Sequence, residues 1–193
     1  MRKANESRKT KETDISISVN LDGTGKSSVS TGIPFFDHML TSFSKHSNID
    51  LELKMVGDIE IDFHHTIEDT GIVLGKTIKS ALGDKKGIKR FADATIPLDE
   101  SLSRTVIDIS GRPFLSFNVN FTRTDDGSNV NPYLFEEFFR AFVNSAEMTI
   151  HIDSIRGNNS HHIVESIFKS FAKAVKEAIT IAGDELPSTK GVI

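Results

Sequence analysis

The pattern His-His-x-x-Glu occurs twice in this chain of 193 residues, as His64-His65-Thr66-Ile67-Glu68 and His161-His162-Ile163-Val164-Glu165, and each copy closes the same succession of elements. In the first half, Ile15, Ile17, Val19 and Leu21 alternate as in a strand and run into a hairpin turn at Asp22-Gly23-Thr24-Gly25. Pro34 opens a helix whose face carries Phe35, Phe36, Met39, Leu40 and Phe43. Two alternating segments, Ile49-Leu51-Leu53 and Ile59-Ile61-Phe63, predict strands before the first motif, and a helix follows it to about Leu82. In the second half, strands are predicted between about Thr95 and Phe121, a loop at Asp125–Asn129, and a helix from Pro132 with Leu134, Phe135, Phe138, Phe139 and Phe142. A strand at Thr149 to Ile152, the second motif and an amphipathic helix to about Ala182 complete the order. The chain is long enough for one large domain or two small ones, and the repeated order predicts a duplication into two similar halves, about 10–93 and 94–193. The core belongs to the phenylalanine-rich helices.

Within each motif the first His and the Glu are four residues apart, so on a helix both project from one face and can reach one ion. The middle His points about 100° away and is free to reach another. Chance in a chain with seven histidines gives roughly 0.02 copies of such a motif, so two copies in register favour metal ligation over helix capping or a solvated face. One ion would take His161, Glu165 and the middle His65; the other would take His64, Glu68 and His162. His38 and Glu137, at corresponding places in the two Phe-rich helices, would complete one shell each. His46 and His151 have no such counterpart and read as structural. Imidazole with carboxylate suits Mn, Fe, Co or Zn.

Composition removes whole classes of function. Without cysteine there are no disulfides, thiolate zinc sites or cysteine nucleophiles. A net charge of −4 gives no general attraction to nucleic acid or membrane. The basic start, with Arg2, Lys3, Arg8, Lys9 and Lys11, has no apolar run behind it, so it is no secretory signal, and no stretch approaches a membrane span. A cytoplasmic protein is expected. Arg90 and Arg112 lie beside glycines, Lys169 sits one turn beyond Glu165, and Ser188 with Lys190 lies in a polar tail. Beside a metal centre this set suggests a phosphorylated small substrate.

At these residues the chain resembles the imidazoleglycerol-phosphate dehydratase family, the lyases of histidine biosynthesis. The likeness rests on Arg8-Lys9-Thr10-Lys11-Glu12-Thr13, Thr31-Gly32-Ile33-Pro34-Phe35-Phe36-Asp37-His38-Met39-Leu40, Asp62 to Asp69, Pro97-Leu98-Asp99-Glu100, Ser110-Gly111-Arg112-Pro113, Asn159 to His162 and Pro187 to Val192. It implies duplicated α+β halves with helices packed between two four-stranded sheets, like ribosomal protein S5 domain 2. It implies two Mn²⁺ ions per active site and a homo-oligomer of 24 subunits with sites between them. One ion would be held by His38, His65, His161 and Glu165, the other by His64, Glu68, His162 and Glu137. Phosphate would be held by Arg90, Arg112, Lys169, Ser188 and Lys190, with Glu12 facing the substrate. The implied reaction dehydrates D-erythro-imidazole glycerol phosphate to imidazole acetol phosphate, with Glu12, Glu68 or Glu165 as the proton shuttle. Members of the family often carry His where this chain has Glu137, and an acidic residue where it has Phe63. With no appended phosphatase domain, the enzyme would be monofunctional. A metal-storage protein would have no use for Arg90, Arg112 or Lys190, and a two-metal phosphohydrolase would want Asp bridges that are lacking here.

Overall fold

The computed structural model describes residues 1–121 and 129–193, and the predicted loop at Asp125–Asn129 falls almost wholly outside them. The described residues form eight strands and four helices: β1 (Lys3–Lys9), β2 (Thr13–Asn20), β3 (Ser27–Ser30), α1 (Pro34–Ser47), β4 (Asp50–Gly57), α2 (His64–Leu82), β5 (Phe91–Leu98), β6 (Ser101–Asp108), β7 (Phe114–Asn118), α3 (Leu134–Ala146), β8 (Thr149–Arg156) and α4 (Ser160–Ala178). They build two four-stranded sheets of identical plan, β1-β2-β4-β3 and β5-β6-β8-β7. Each sheet is antiparallel except at one edge, where β3 runs parallel to β4 and β7 parallel to β8. The predicted duplication is therefore present strand by strand.

The parallel edges correct one expectation. The turn after Leu21 does not close a hairpin, because β2 pairs with β4 and β3 reaches the far side of β4. Parallel neighbours need a crossover connection, and α1 supplies it between β3 and β4. The turn is fixed by Asp50, whose Oδ1 accepts from the backbone N–H of Thr24 at 2.8 Å and of Lys26 at 3.0 Å. A second correction concerns Ile59-Ile61-Phe63, which is not a strand. The chain turns there, with the Ile61 N–H donating to the Asp58 carbonyl at 2.9 Å. Ile61 has no sheet to enter and is largely exposed. A third concerns the last helix, which ends at Ala178 rather than near Ala182. The Ala182 N–H instead donates to the Gly87 carbonyl at 2.7 Å, and Ile88 bridges Ile181, so this segment is drawn to the connection between α2 and β5.

The alternation of β2 and β6 buries every second residue under the helices, which lie between the two sheets. The helices pack across the halves, α1 on α4 and α2 on α3. Their seam is aromatic: Phe43 of α1 stacks on Phe171 of α4 at 5.2 Å between centroids, Phe36 of α1 meets Phe138 of α3 edge-on at 5.5 Å, and within the second half Phe142 meets Phe171 edge-on at 5.1 Å. Each fully buried Phe contributes about 1.5–3 kcal/mol, so the seam is a principal source of cohesion. Where α2 meets α3 the contact is closer. A Cβ on Gly71 would stand 2.4 Å from the Phe138 carbonyl oxygen, and one on Gly75 would stand 2.6 Å from that of Phe142. No helix among the described residues is long and apolar enough to cross a membrane.

Candidate metal centre and anion site

The two motifs open the two long helices. His64 begins α2, where its backbone N–H donates to Asp62 Oδ1 at 2.7 Å. His161 and His162 lie in the first turn of α4, whose N-cap Asn159 accepts from the His162 N–H. The helix spacing then acts as predicted. His161 Nε2 lies 3.3 Å from Glu165 Oε2, and His64 Nε2 lies 3.6 Å from Glu68 Oε2. His38, on α1, reaches the first of these pairs because α1 packs on α4, with its Nε2 3.6 Å from Glu165 Oε2.

His38, His161 and Glu165 thus converge, with one ligand atom from each within 4.8 Å of the others. Two imidazole nitrogens and a carboxylate oxygen are a donor set that fits a first-row divalent cation. Burial pushes the Glu165 carboxyl up, but the hydrogen bond and charge of Lys169, with His38 and His161 beside it, outweigh this and hold it below the usual range. Lys169 Nζ sits 2.7 Å from Glu165 Oε1, the oxygen that faces away from the histidines. The ring of Phe35 lies 4.8 Å from that of His161 and closes one side of the cluster.

The second predicted shell is only partly assembled. His64 and Glu68 pair, but Glu137 lies 3.6 Å from Arg140 on its own helix and is absent from any such cluster among the described residues. The register between His38 and Glu137 nevertheless holds. α1 and α3 both end on a left-handed residue, Asn48 and Glu147, and these stand 99 positions apart, as do His38 and Glu137. The two middle histidines turn away from the cluster. His65 Nδ1 meets Asp58 at 3.0 Å and His162 Nδ1 meets Glu100 at 2.7 Å. The Asp58 hydrogen bond raises the pKa of His65, with the charges of Asp58 and Glu12 adding to it. Glu100 is held well below the carboxylate range, first by His162 and then by the backbone N–H groups of Asn159 and Asn158. Asp58 did not stand out from the sequence, and Glu100 stood out only as part of Pro97-Leu98-Asp99-Glu100, without a role. For Glu100 there was a signal, since it precedes β6 as Glu12 precedes β2.

Glu12 sits in a short connection tied down by its neighbours. Thr10 Oγ1 accepts from the Glu12 and Thr13 N–H groups, while the buried Asp69 bonds both Arg8 and Thr13. The Glu12 carboxylate is exposed and lies 3.9 Å from His65 Nε2.

The basic residues form a second centre. Arg90 adopts a positive φ of 72°, places its Nε 2.8 Å from Asp108 Oδ1, and donates from Nη1 to the Pro187 carbonyl at 2.7 Å. Arg112 shares Asp108 more loosely, at 3.9 Å, and keeps two thirds of its side chain exposed. The Ser188 hydroxyl donates to the Val192 carbonyl and accepts from the Lys190 N–H, curling the tail beside Pro187. Arg90, Arg112, Ser188 and Lys190 are therefore brought to one end of the molecule. Lys169 is not among them.

That end is far from the metal cluster of the same chain. The Arg90 backbone N–H caps the Ala178 carbonyl at the C-terminus of α4, while His161 and Glu165 lie near its N-terminus. At 1.5 Å per residue, the separation between Glu165 and Ala178 is roughly 20 Å.

Residues 31–175 match the sequence profile of the family described as Imidazoleglycerol-phosphate dehydratase. Imidazoleglycerol-phosphate dehydratases of Nitrosomonas eutropha and Alkaliphilus metalliredigens are 53% identical over 196 residues and 57% identical over 186 residues. The first covers 100% of both chains, the second 96% of this chain and 93% of its own. Among solved structures, the Staphylococcus aureus imidazoleglycerol-phosphate dehydratase superposes with a TM-score of 0.83 at 42% identity, covering 93% of this chain and 99% of its own. The Pyrococcus furiosus enzyme gives 0.83 at 33% identity, covering 97% and 100%.

Proposed function

The chain belongs to the imidazoleglycerol-phosphate dehydratase family, and from that premise we propose that it is a metal-dependent hydro-lyase of histidine biosynthesis that converts D-erythro-imidazole glycerol phosphate to imidazole acetol phosphate. The observation that carries the metal dependence is the convergence of His38, His161 and Glu165. His38, His65, His161 and Glu165 would hold one ion and His64, Glu68, His162 and Glu137 the other, with Mn²⁺ as the expected metal. Bound there, such ions supply Lewis acidity toward the nitrogens of the substrate ring and its hydroxyls.

The difficulty of the reaction is a C–H bond with no carbonyl beside it. The hydroxyl on the carbon attached to the ring departs as water, the neighbouring carbon gives up its proton, and the resulting enol tautomerises to the ketone. The chain must supply a carboxylate that can carry a proton and is not otherwise engaged. Glu165 is tied to Lys169 and two histidines, and Glu68 to His64. Glu12 is exposed and rigidly mounted, which favours it as the proton shuttle.

The distance between the anion site and the metal cluster of one chain supports active sites shared between subunits. A substrate with three carbons between ring and phosphate cannot span roughly 20 Å along α4. The anion site of one subunit would therefore serve the metal site of another, in keeping with the 24-subunit shell expected from the family resemblance. Lys169, lying at the metal end, would then approach the phosphate from the opposite subunit to Arg90 and Arg112.

Arg112 tests the substrate assignment. Unlike Arg90, it has donors to spare, and a charged hydrogen bond to phosphate is worth about 1.5–3 kcal/mol. Steady-state kinetics of Arg112→Ala with imidazole glycerol phosphate should show KM raised roughly ten- to hundredfold, with bound metal unchanged. An unchanged KM would contradict the phosphate site, and the absence of imidazole acetol phosphate from the wild-type reaction would contradict the activity itself.

A further inference from the structure

The two middle histidines are the ligand candidates whose Nδ1 is held by a carboxylate from outside the motif. His65 Nδ1 lies 3.0 and 3.2 Å from the two oxygens of Asp58, and His162 Nδ1 lies 2.7 Å from Glu100 Oε2. Asp58 follows β4 directly and Glu100 directly precedes β6, so each carboxylate is mounted on the sheet of its own half. A neutral imidazole has one N–H and one lone pair, and a carboxylate can only accept. Each contact therefore fixes the proton on Nδ1 and leaves the lone pair on Nε2, which lies 3.9 Å from Glu12 in His65 and 3.9 Å from Asp99 in His162.

The two halves reach this arrangement by different routes. Glu12 and Glu100 occupy the same register position, yet only Glu100 is committed to a histidine. Its Oε1 accepts from the backbone N–H groups of Asn158 at 3.2 Å and Asn159 at 2.9 Å, while its Oε2 accepts from His162. In the first half Asp58 holds the histidine instead, and Glu12 makes only a looser contact, 3.9 Å from His65 Nε2. Had Glu12 held His65 as Glu100 holds His162, its lone pairs would be occupied and it could not move a proton.

We propose that Asp58 and Glu100 are positioning residues that select the Nδ1–H tautomer of His65 and His162, and so make Nε2 of each available to a metal. This rests on the assignment of both histidines as ligands. Such supporting groups typically change metal affinity by about 10- to 100-fold.

Glutamine at position 100 separates the roles. Its single oxygen would stay with the two backbone N–H groups, which leaves the amide NH₂ against His162 Nδ1. An NH₂ group donates, so the ring would shift its proton to Nε2 and lose the lone pair aimed at the metal. Glu100→Ala removes the carboxylate without imposing the wrong tautomer. Mn²⁺ binding to the assembled, metal-stripped protein, followed by electron paramagnetic resonance of the free ion, should show one of two ions weakened at least tenfold in Glu100→Gln. The loss in Glu100→Ala should be smaller, and Asp58→Ala should weaken the other ion to a similar extent. Thermal melting of the metal-free proteins should match wild type. Wild-type Mn²⁺ affinity in Glu100→Gln, or an equal loss in Glu100→Ala, would overturn the proposal. His162→Ala tells the two failures apart. If it too keeps both ions, the ligand assignment is wrong; if it loses one while Glu100→Gln keeps both, only the positioning role is wrong.

Discussion

Replacing Glu165 by alanine is expected to lower turnover by at least about a thousandfold, because several kcal/mol of Lewis-acid stabilisation depend on the site it completes. Glu165 is the residue on which the cluster converges: His161 Nε2 and His38 Nε2 both face its Oε2, at 3.3 and 3.6 Å. It is also the only negative group in that trio, so its loss leaves two imidazoles beside the ammonium of Lys169, whose positive field repels a divalent cation. Metal content after dialysis should fall together with turnover. Glu165→Gln keeps the shape and loses the charge, and should fail nearly as badly. A Glu165→Ala protein that retained its metal and more than half its activity would remove this cluster from the mechanism.

Gly71→Val should damage the fold severely at a place away from the site. An added Cβ would stand 2.4 Å from the Phe138 carbonyl oxygen and 3.1 Å from Ala141 Cβ, and the oxygen belongs to the backbone of α3, which cannot swing aside as a side chain can. Separating α2 from α3 would loosen the aromatic seam and shift the helix that begins with His64. Overpacking of this kind costs about 1–3 kcal/mol and occasionally more, and two γ-methyl groups place valine at or beyond the upper end. Helix propensity returns less than about 1 kcal/mol. Thermal or urea unfolding should register a loss of about 3 kcal/mol or more. Gly183→Ala, where an added Cβ meets nothing within 4 Å, should stay within about 0.5 kcal/mol of wild type. Equal stabilities for Gly71→Val and wild type would mean that the helices do not meet as described.

Much of this was legible because the determining patterns are local. The i, i+4 spacing of His161 and Glu165 fixes a shared helix face, and the repeated order of elements announced the two identical sheets. The failures have a common physical source, which is that strand pairing is non-local. The turn at Asp22 to Gly25 looks like any hairpin until the α1 crossover carries β4 between β2 and β3. Ile59, Ile61 and Phe63 alternate as a strand would, but the chain turns there, with the Ile61 N–H bonded to the Asp58 carbonyl, and among the described residues they pair with no strand of either sheet. The pairing of the middle histidines with Asp58 and Glu100 was likewise hidden, because it depends on which strand end lies beside each helix start. The Phe35–His161 contact was hidden for the same reason: it exists only because α1 packs on α4.

Turnover of imidazole glycerol phosphate by chelator-stripped protein, measured before and after Mn²⁺ is restored, tests the central claim most directly. No imidazole acetol phosphate should form without metal, and activity should return as two ions are taken up per chain. Undiminished turnover by fully stripped protein would contradict the account, and so would uptake of both ions with no turnover.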